Sequence, residues 1–218
     1  MSKVLLITNP AHDPLTCYLS AWSEELIEKF KGDENLRILE LKERDVSRAR
    51  VTDVIRKERP QLIIFNGHGD EKSIKGYELE ILVQIDDNEE ILKNKIVHVM
   101  SCRTGKELGP RCISIGGLAY IGYKENFKIA YLANRETNGD KRTDSYASFI
   151  LGPAFTTILS LMEGKKTEEA YKLSQQASEE NLRFLTTSKD DTLKTVIASR
   201  VYHNYINQVC LGNPAAHF

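Results

Sequence analysis

The sequence predicts a single three-layer α/β/α domain built on a mostly parallel sheet of about six strands. Three observations predict it. Val4-Leu5-Leu6-Ile7-Thr8, Leu62-Ile63-Ile64-Phe65 and Ile96-Val97-His98-Val99-Met100 are largely apolar runs of strand length, the pattern of strands covered on both faces. Segments of helical periodicity separate them, so the strands return to one sheet through crossovers. No Gly/Ser/Pro-rich or charged stretch divides the 218 residues, which points to one domain over residues 1–218.

Taken in order, residues 4–8 are expected to form a central strand. The two prolines of Asn9-Pro10-Ala11-His12-Asp13-Pro14 make the next segment a loop. Leu19, Trp22, Leu26 and Ile27 recur at helical spacing and place a helix over residues 16–30. Residues 36–41 alternate as a strand nearer the edge, 46–57 form a helix ended before Pro60, and 62–65 form the third strand. Residues 77–85 alternate as a strand or hairpin arm, 88–92 make a short helix, and 96–100 the fourth strand. A short helix is expected over 105–113 and a fifth strand over 118–122. Residues 123–143 make a long connection with an apolar stretch over 127–132 and a turn at Asn138-Gly139-Asp140; connections of such length are commonly functional. Asp144 opens a helical segment in which Gly152-Pro153 implies a kink or a restart, and Gly164 suits its carboxyl cap. Thr167 is expected to cap the next helix, with Glu168 and Glu169 in its first turn and Ala170, Leu173, Ala177, Leu182 and Leu185 on one face. A last helix over 190–206 and a short strand over 208–211 complete the chain.

Charge is nearly balanced, 30 basic against 31 acidic residues, which gives no nucleic-acid footprint and no membrane-surface patch. The amino terminus lacks a signal-peptide core, and no stretch approaches the ~20 apolar residues of a bilayer span. Cys17, Cys102, Cys112 and Cys210 show neither CxxC nor disulfide-framework spacing. Free thiols in a reducing compartment, and hence a cytoplasmic location, are the expectation.

The residues that carry chemistry stand at the ends of two strands, in Asn66-Gly67-His68-Gly69-Asp70 and Ser101-Cys102. Sites in open parallel sheets form beyond the carboxyl ends of neighbouring strands, so His68 and Cys102 are expected to face each other as a thiol–imidazole dyad. An imidazole or a helix amino terminus turns a thiol into an effective nucleophile, and a helix is expected to begin just after Cys102. Gly67 and Gly69 permit close approach beside His68, and the Gly69 amide is an unhindered donor. A histidine and a cysteine at strand ends are, by themselves, more often structural than catalytic. A metal set drawing on His98 and Cys112 is disfavoured because no pair has zinc-ligand spacing and His98 lies inside a strand. A small-molecule-binding α/β domain is a further rival, without the GxGxxG or Walker loop that nucleotide binding needs.

An apolar strand ending in His-Gly, followed by an apolar strand ending in small-Cys, resembles the caspase–hemoglobinase cysteine peptidases. The CHAT/gingipain branch is the best match. Asn66-Gly67-His68-Gly69 is similar to its Gly-His-Gly loop and Ser101-Cys102-Arg103-Thr104 to its Ala-Cys-x-Thr motif. Tyr120-Ile121-Gly122-Tyr123 resembles the strand that follows, Asp144 through Ala170 the helix pair, and Leu211-Gly212-Asn213-Pro214-Ala215 the closing Leu-Gly-Asp-Pro-Ala, with Asn213 replacing the aspartate. The resemblance covers essentially the whole chain. It implies a caspase-like fold and a cysteine endopeptidase in which Cys102 attacks the scissile carbonyl and His68 protonates the leaving amine. The amides of Gly69 and Cys102 would form the oxyanion hole, and no metal or organic cofactor is required. It also implies a protein or peptide substrate, and leaves room for a regulatory partner protein. Asp13, in the loop after the first strand, and Asp144 are the candidate substrate-binding carboxylates for a basic residue before the cut. Helix capping is the simpler explanation of Asp144, and a small or apolar preference is the alternative because Met100 stands where metacaspases carry an aspartate. A catalytically silent caspase-like binding or scaffolding module is the rival reading.

Overall fold

The computed structural model of the chain describes residues 3–132, 140–187 and 192–218. Its strands are β1 (Lys3–Asn9), β2 (Leu36–Lys42), β3 (Leu62–Asn66), β4 (His68–Gly69), β5 (Ser73–Lys75), β6 (Ile81–Gln84), β7 (Ile96–Met100), β8 (Ala119–Tyr123) and β9 (Gln208–Gly212). Six of them form one sheet in the order β2-β1-β3-β7-β8-β9, parallel except for β9. The short strands β4, β5 and β6 make a separate antiparallel sheet.

The apolar runs are explained by two cores, one on each face of the large sheet. In β1, Leu5 and Ile7 enter one core while Leu6 enters the other, as the period-2 alternation of a strand requires. The first core is covered by helices α1 (Pro14–Lys29), α4 (Ser145–Met162), α5 (Thr167–Thr186) and α6 (Thr192–Asn207). Helices α2 (Arg48–Glu58) and α3 (Leu108–Ser114), with the small sheet, cover the second. This is the three-layer arrangement expected from the sequence, with β2 at the edge.

Several local expectations are corrected. Helix α4 neither breaks nor restarts at Pro153. Proline removes the N–H that would bond the carbonyl four residues back, and that carbonyl, Phe149 O, instead accepts from Asn181 Nδ2 of α5 at 2.9 Å. Thr167 is not a side-chain cap: it is the first residue of α5, and its hydroxyl donates to Asn213 O at 2.8 Å. Ala170, Ser174 and Ser178 form the buried small-residue stripe of α5, where Leu173 and Ala177 were expected. Helix α4 is long and apolar enough by length and composition to cross a membrane, closer to a span than the sequence reading allowed, yet 61% of it is buried inside the protein. Residues 77–79 form a 3-10 turn rather than strand, with Glu78 and Leu79 at φ 49° and 65°. Of the expected turn at 138–140, Asn138 and Gly139 lie outside the described residues, as does the expected helix start at Asp190.

Candidate active site

Parallel register brings the two strand ends level. Asn66 of β3 pairs with Met100 of β7, and His68 and Cys102 each stand two residues beyond that pair. A buried polar clamp locks the neighbouring strand ends together. Asn66 Nδ2 donates to Asn9 Oδ1 and to Ser23 Oγ, both at 2.8 Å, while Asn66 N donates to Thr8 Oγ1 at 3.2 Å. The clamp ties the end of β1, which leads into the His12-Asp13 loop, to the end of β3, which leads into His68.

Glycine at position 69 is required by close approach. A Cβ there would lie 2.7 Å from Thr104 Cγ2 and 2.8 Å from Ser101 Oγ, so the backbone beside His68 packs directly on the turn that carries Cys102. Asp70 N donates to Ser73 O at 3.0 Å, which makes that facing pair the hydrogen-bonded kind. Pairs alternate in an antiparallel ladder, so the Gly69 amide points away from β5.

His68 is oriented by Asp13. Asp13 caps α1 through Oδ1, which accepts from Thr16 N at 2.9 Å, and its Oδ2 accepts from His68 Nε2 at 2.5 Å. Burial would raise the Asp13 carboxyl, but the His68 bond, the Thr16 amide and the neighbouring imidazoles of His68 and His12 outweigh it and hold it down at about 2. An ionised carboxylate only accepts, so Nε2 carries the proton and Nδ1 is left for exchange with a thiol. His12 Nε2 lies 3.3 Å from the same Oδ2. It is delivered there by Ala11, held at φ 43°, a backbone conformation that costs a non-glycine residue roughly 1–2 kcal/mol.

Cys102 is half-buried, a free thiol packed against the α1/α4 side of the sheet. The expected helix does not begin at this residue. Residues 101–107 are a run of bends and turns with Arg103 at φ 57°, and α3 starts only at Leu108, where Pro110 is accommodated in the first turn. The Cys102 amide itself makes no hydrogen bond among the described residues. Burial raises the Cys17 thiol, and pushes Cys112 up to about 12 and Cys210 up to about 11. Among the described residues, no hydrogen bond joins Cys102 Sγ to His68. The rim is charged but paired: Lys106 Nζ lies 2.7 Å and Arg103 Nη1 3.8 Å from Glu71 Oε1, and Lys75 Nζ 2.9 Å from Asp70 Oδ2.

The substrate-binding assignment of Asp144 is corrected. Asp144 is fully buried; Oδ1 accepts from Tyr146 N and Ala147 N, and Oδ2 from Tyr18 Oη and Leu132 N. It caps α4 and anchors the long connection, with no face left for a substrate. Asp13 orients His68 and caps its own helix while its side chain stays partly exposed, so any contact with a basic side chain is left to it alone. His98 and Cys112 cannot share a metal, because alternation along β7 puts the His98 ring on the Ile96 and Met100 face while Cys112 lies in the opposite core. The role of Asp13 and the polar clamp of Thr8, Asn9, Ser23 and Asn66 were missed. The available signals were polar residues closing two apolar strands and an aspartate in a helix-entry loop.

A parallel-centred sheet between two helical layers, with the candidate residues past the ends of β3 and β7, is the caspase-like α/β/α fold. Among solved structures the chain is similar to one in the complex of Porphyromonas gingivalis RgpB pro- and mature domains, with a TM-score of 0.55 and 11% sequence identity. The match covers 98% of this chain and 47% of that one, so this chain spans about half the length of that neighbour. No family model and no curated protein matches the sequence. At this identity the likeness is one of fold.

Proposed function

We propose that the chain is a caspase-like cysteine endopeptidase with Cys102 as nucleophile and His68 as general acid–base. The observation that carries this reading is the imidazole of His68, oriented through Nε2 by an ionised carboxylate two residues past the end of β3, with a half-exposed thiol two residues past the end of the neighbouring β7. Cys102 Sγ attacks the scissile carbonyl carbon, its proton passing to His68 Nδ1; the resulting oxyanion is met by the amides of Gly69 and Cys102. The tetrahedral carbon then expels the amine, which takes the proton back from Nδ1, and water hydrolyses the thioester with His68 as base. The CHAT/gingipain placement rests on the sequence motifs alone.

The test is a panel of peptidyl electrophiles followed by mass spectrometry on the intact chain. We expect a single adduct, on Cys102, that His68→Ala suppresses, and iodoacetamide at neutral pH should modify Cys102 ahead of the three thiols that burial keeps protonated. First modification at Cys17 or Cys210, or peptide cleavage surviving Cys102→Ala, would end this reading. The silent-module alternative draws on the missing thiol–imidazole hydrogen bond; it predicts an unreactive Cys102 in a folded chain.

A further inference from the structure

The loop after β1 places a second imidazole on the carboxylate that orients His68, and nothing in the proposed reaction uses it. His12 is largely buried, its Nδ1 has no hydrogen-bond partner among the described residues, and its Nε2 faces Asp13 Oδ2. One ligand atom each from His12, Asp13 and His68 lies within 4.8 Å of the other two. Ala11 holds the positive φ that turns His12 inward, and the Asn9–Asn66 bond ties that loop to the strand carrying His68.

We infer that His12, Asp13 and His68 form a binding site for a borderline divalent cation such as Zn2+, whose occupancy blocks proton exchange between His68 and Cys102. The inhibitory half of this inference rests on the peptidase reading above; the cation site does not. Two imidazoles and one carboxylate suit Zn2+ or Co2+ and give Ca2+ or Mg2+ too few oxygens. Bonds of about 2.0–2.2 Å in a tetrahedral site put ligand atoms about 3.3 Å apart. The His12–Asp13 separation is already 3.3 Å, and the His68–Asp13 separation of 2.5 Å has to open by about 0.8 Å. Three protein ligands leave the fourth position to water. Binding at Nε2 moves the ring's one proton to Nδ1 by exchange through solvent, with no net proton release. With Nε2 on the cation and the proton on Nδ1, the ring can no longer accept the proton of the Cys102 thiol.

The cation site is tested in the full chain carrying Cys102→Ala, so that the thiol contributes nothing. Calorimetric titration with Zn2+ should show one equivalent bound, and Co2+ should give visible ligand-field bands without a thiolate charge-transfer band. His12→Ala and, as the variant that keeps the side chain's bulk, His12→Gln should each weaken Zn2+ at least tenfold. Unchanged affinity in both variants, or no stoichiometric binding, overturns the site. The block is tested with Cys102 present, by the rate of iodoacetamide modification. Zn2+ should protect Cys102, and the half-protecting concentration should rise at least tenfold in His12→Gln. Equal protection in both proteins would mean that the thiol ligates the ion directly, and no protection at saturating Zn2+ would mean that His68 is not blocked; either overturns the inference. A chain whose Cys102→Ala form binds Co2+ as described, yet which with Cys102 present and free of the cation cleaves no peptide, would sink the peptidase and leave the cation site standing.

Discussion

At the scale of single residues, Asp13 carries two jobs on its two oxygens, and they can be separated. Asparagine caps a helix as well as aspartate does, so Asp13→Asn should keep α1, while the stability that the charged bond to His68 adds at neutral pH is lost. The charge that fixes the His68 tautomer is lost, and the rate of Cys102 acylation by a peptidyl substrate should fall about a hundredfold or more. Asp13→Ala should show the same rate loss plus about 1 kcal/mol of stability from the missing cap. Equal rates in wild type and Asp13→Asn would reduce the Asp13–His68 bond to a structural contact. His68 and Cys102 were legible in the sequence because each closes an apolar strand. The partnership of Asp13 was not, because a loop residue announces its helix cap locally and its long-range partner not at all.

At the scale of elements, β4 and the Cys102 turn fit only because residue 69 has no side chain. Gly69→Ala places a methyl 2.7 Å from Thr104 Cγ2 and 2.8 Å from the Ser73 carbonyl, with backbone on one side. Overpacking of this kind costs about 1–3 kcal/mol, and relief by moving β4 also moves His68, so both stability and Cys102 reactivity should drop. Retained reactivity with unchanged stability would mean that the two loops are not packed as described. The continuity of α4 makes a second case. Asn181 donates to the carbonyl that Pro153 deprives of its helical partner, so Asn181→Ala should cost about 1 kcal/mol in wild type. In a Pro153→Ala background the backbone N–H is restored, and the same substitution should cost less by at least about 0.5 kcal/mol. Chemical denaturation of the four proteins closes this cycle; additivity would rule the compensation out. Gly152-Pro153 reads as a break because propensity is local, whereas the bond that repairs it comes from another helix.

At the scale of the whole molecule, acid stability should be dominated by a histidine outside the proposed dyad. His98 lies in the middle of β7, fully buried, with neither ring nitrogen hydrogen-bonded among the described residues. Burial lowers it from 6.5 to about 3. The folded state therefore refuses a proton that the unfolded chain accepts, so stability is complete above about pH 6.5 and falls as pH drops from there toward 3, by up to about 1.4 kcal/mol per unit. The lowered carboxyls of Asp13 and Asp70, both held at about 2, lose their contribution in a lower window, from about 3.8 down to 2. His98→Leu should flatten the denaturation midpoint between pH 6.5 and 4 while leaving the steeper loss below pH 4. A wild type equally stable at pH 7 and pH 4.5 would contradict it. The sequence by itself determined the layers and the two strand ends: a continuous apolar strand has to be covered on both faces, and a parallel sheet opens its crevice where such strands finish. Tertiary structure alone decided what Asp13, Asp144, Pro153 and His12 do. A polar or helix-breaking residue takes its role from the one partner that register and packing bring within hydrogen-bonding reach, and that partner can lie anywhere along the chain.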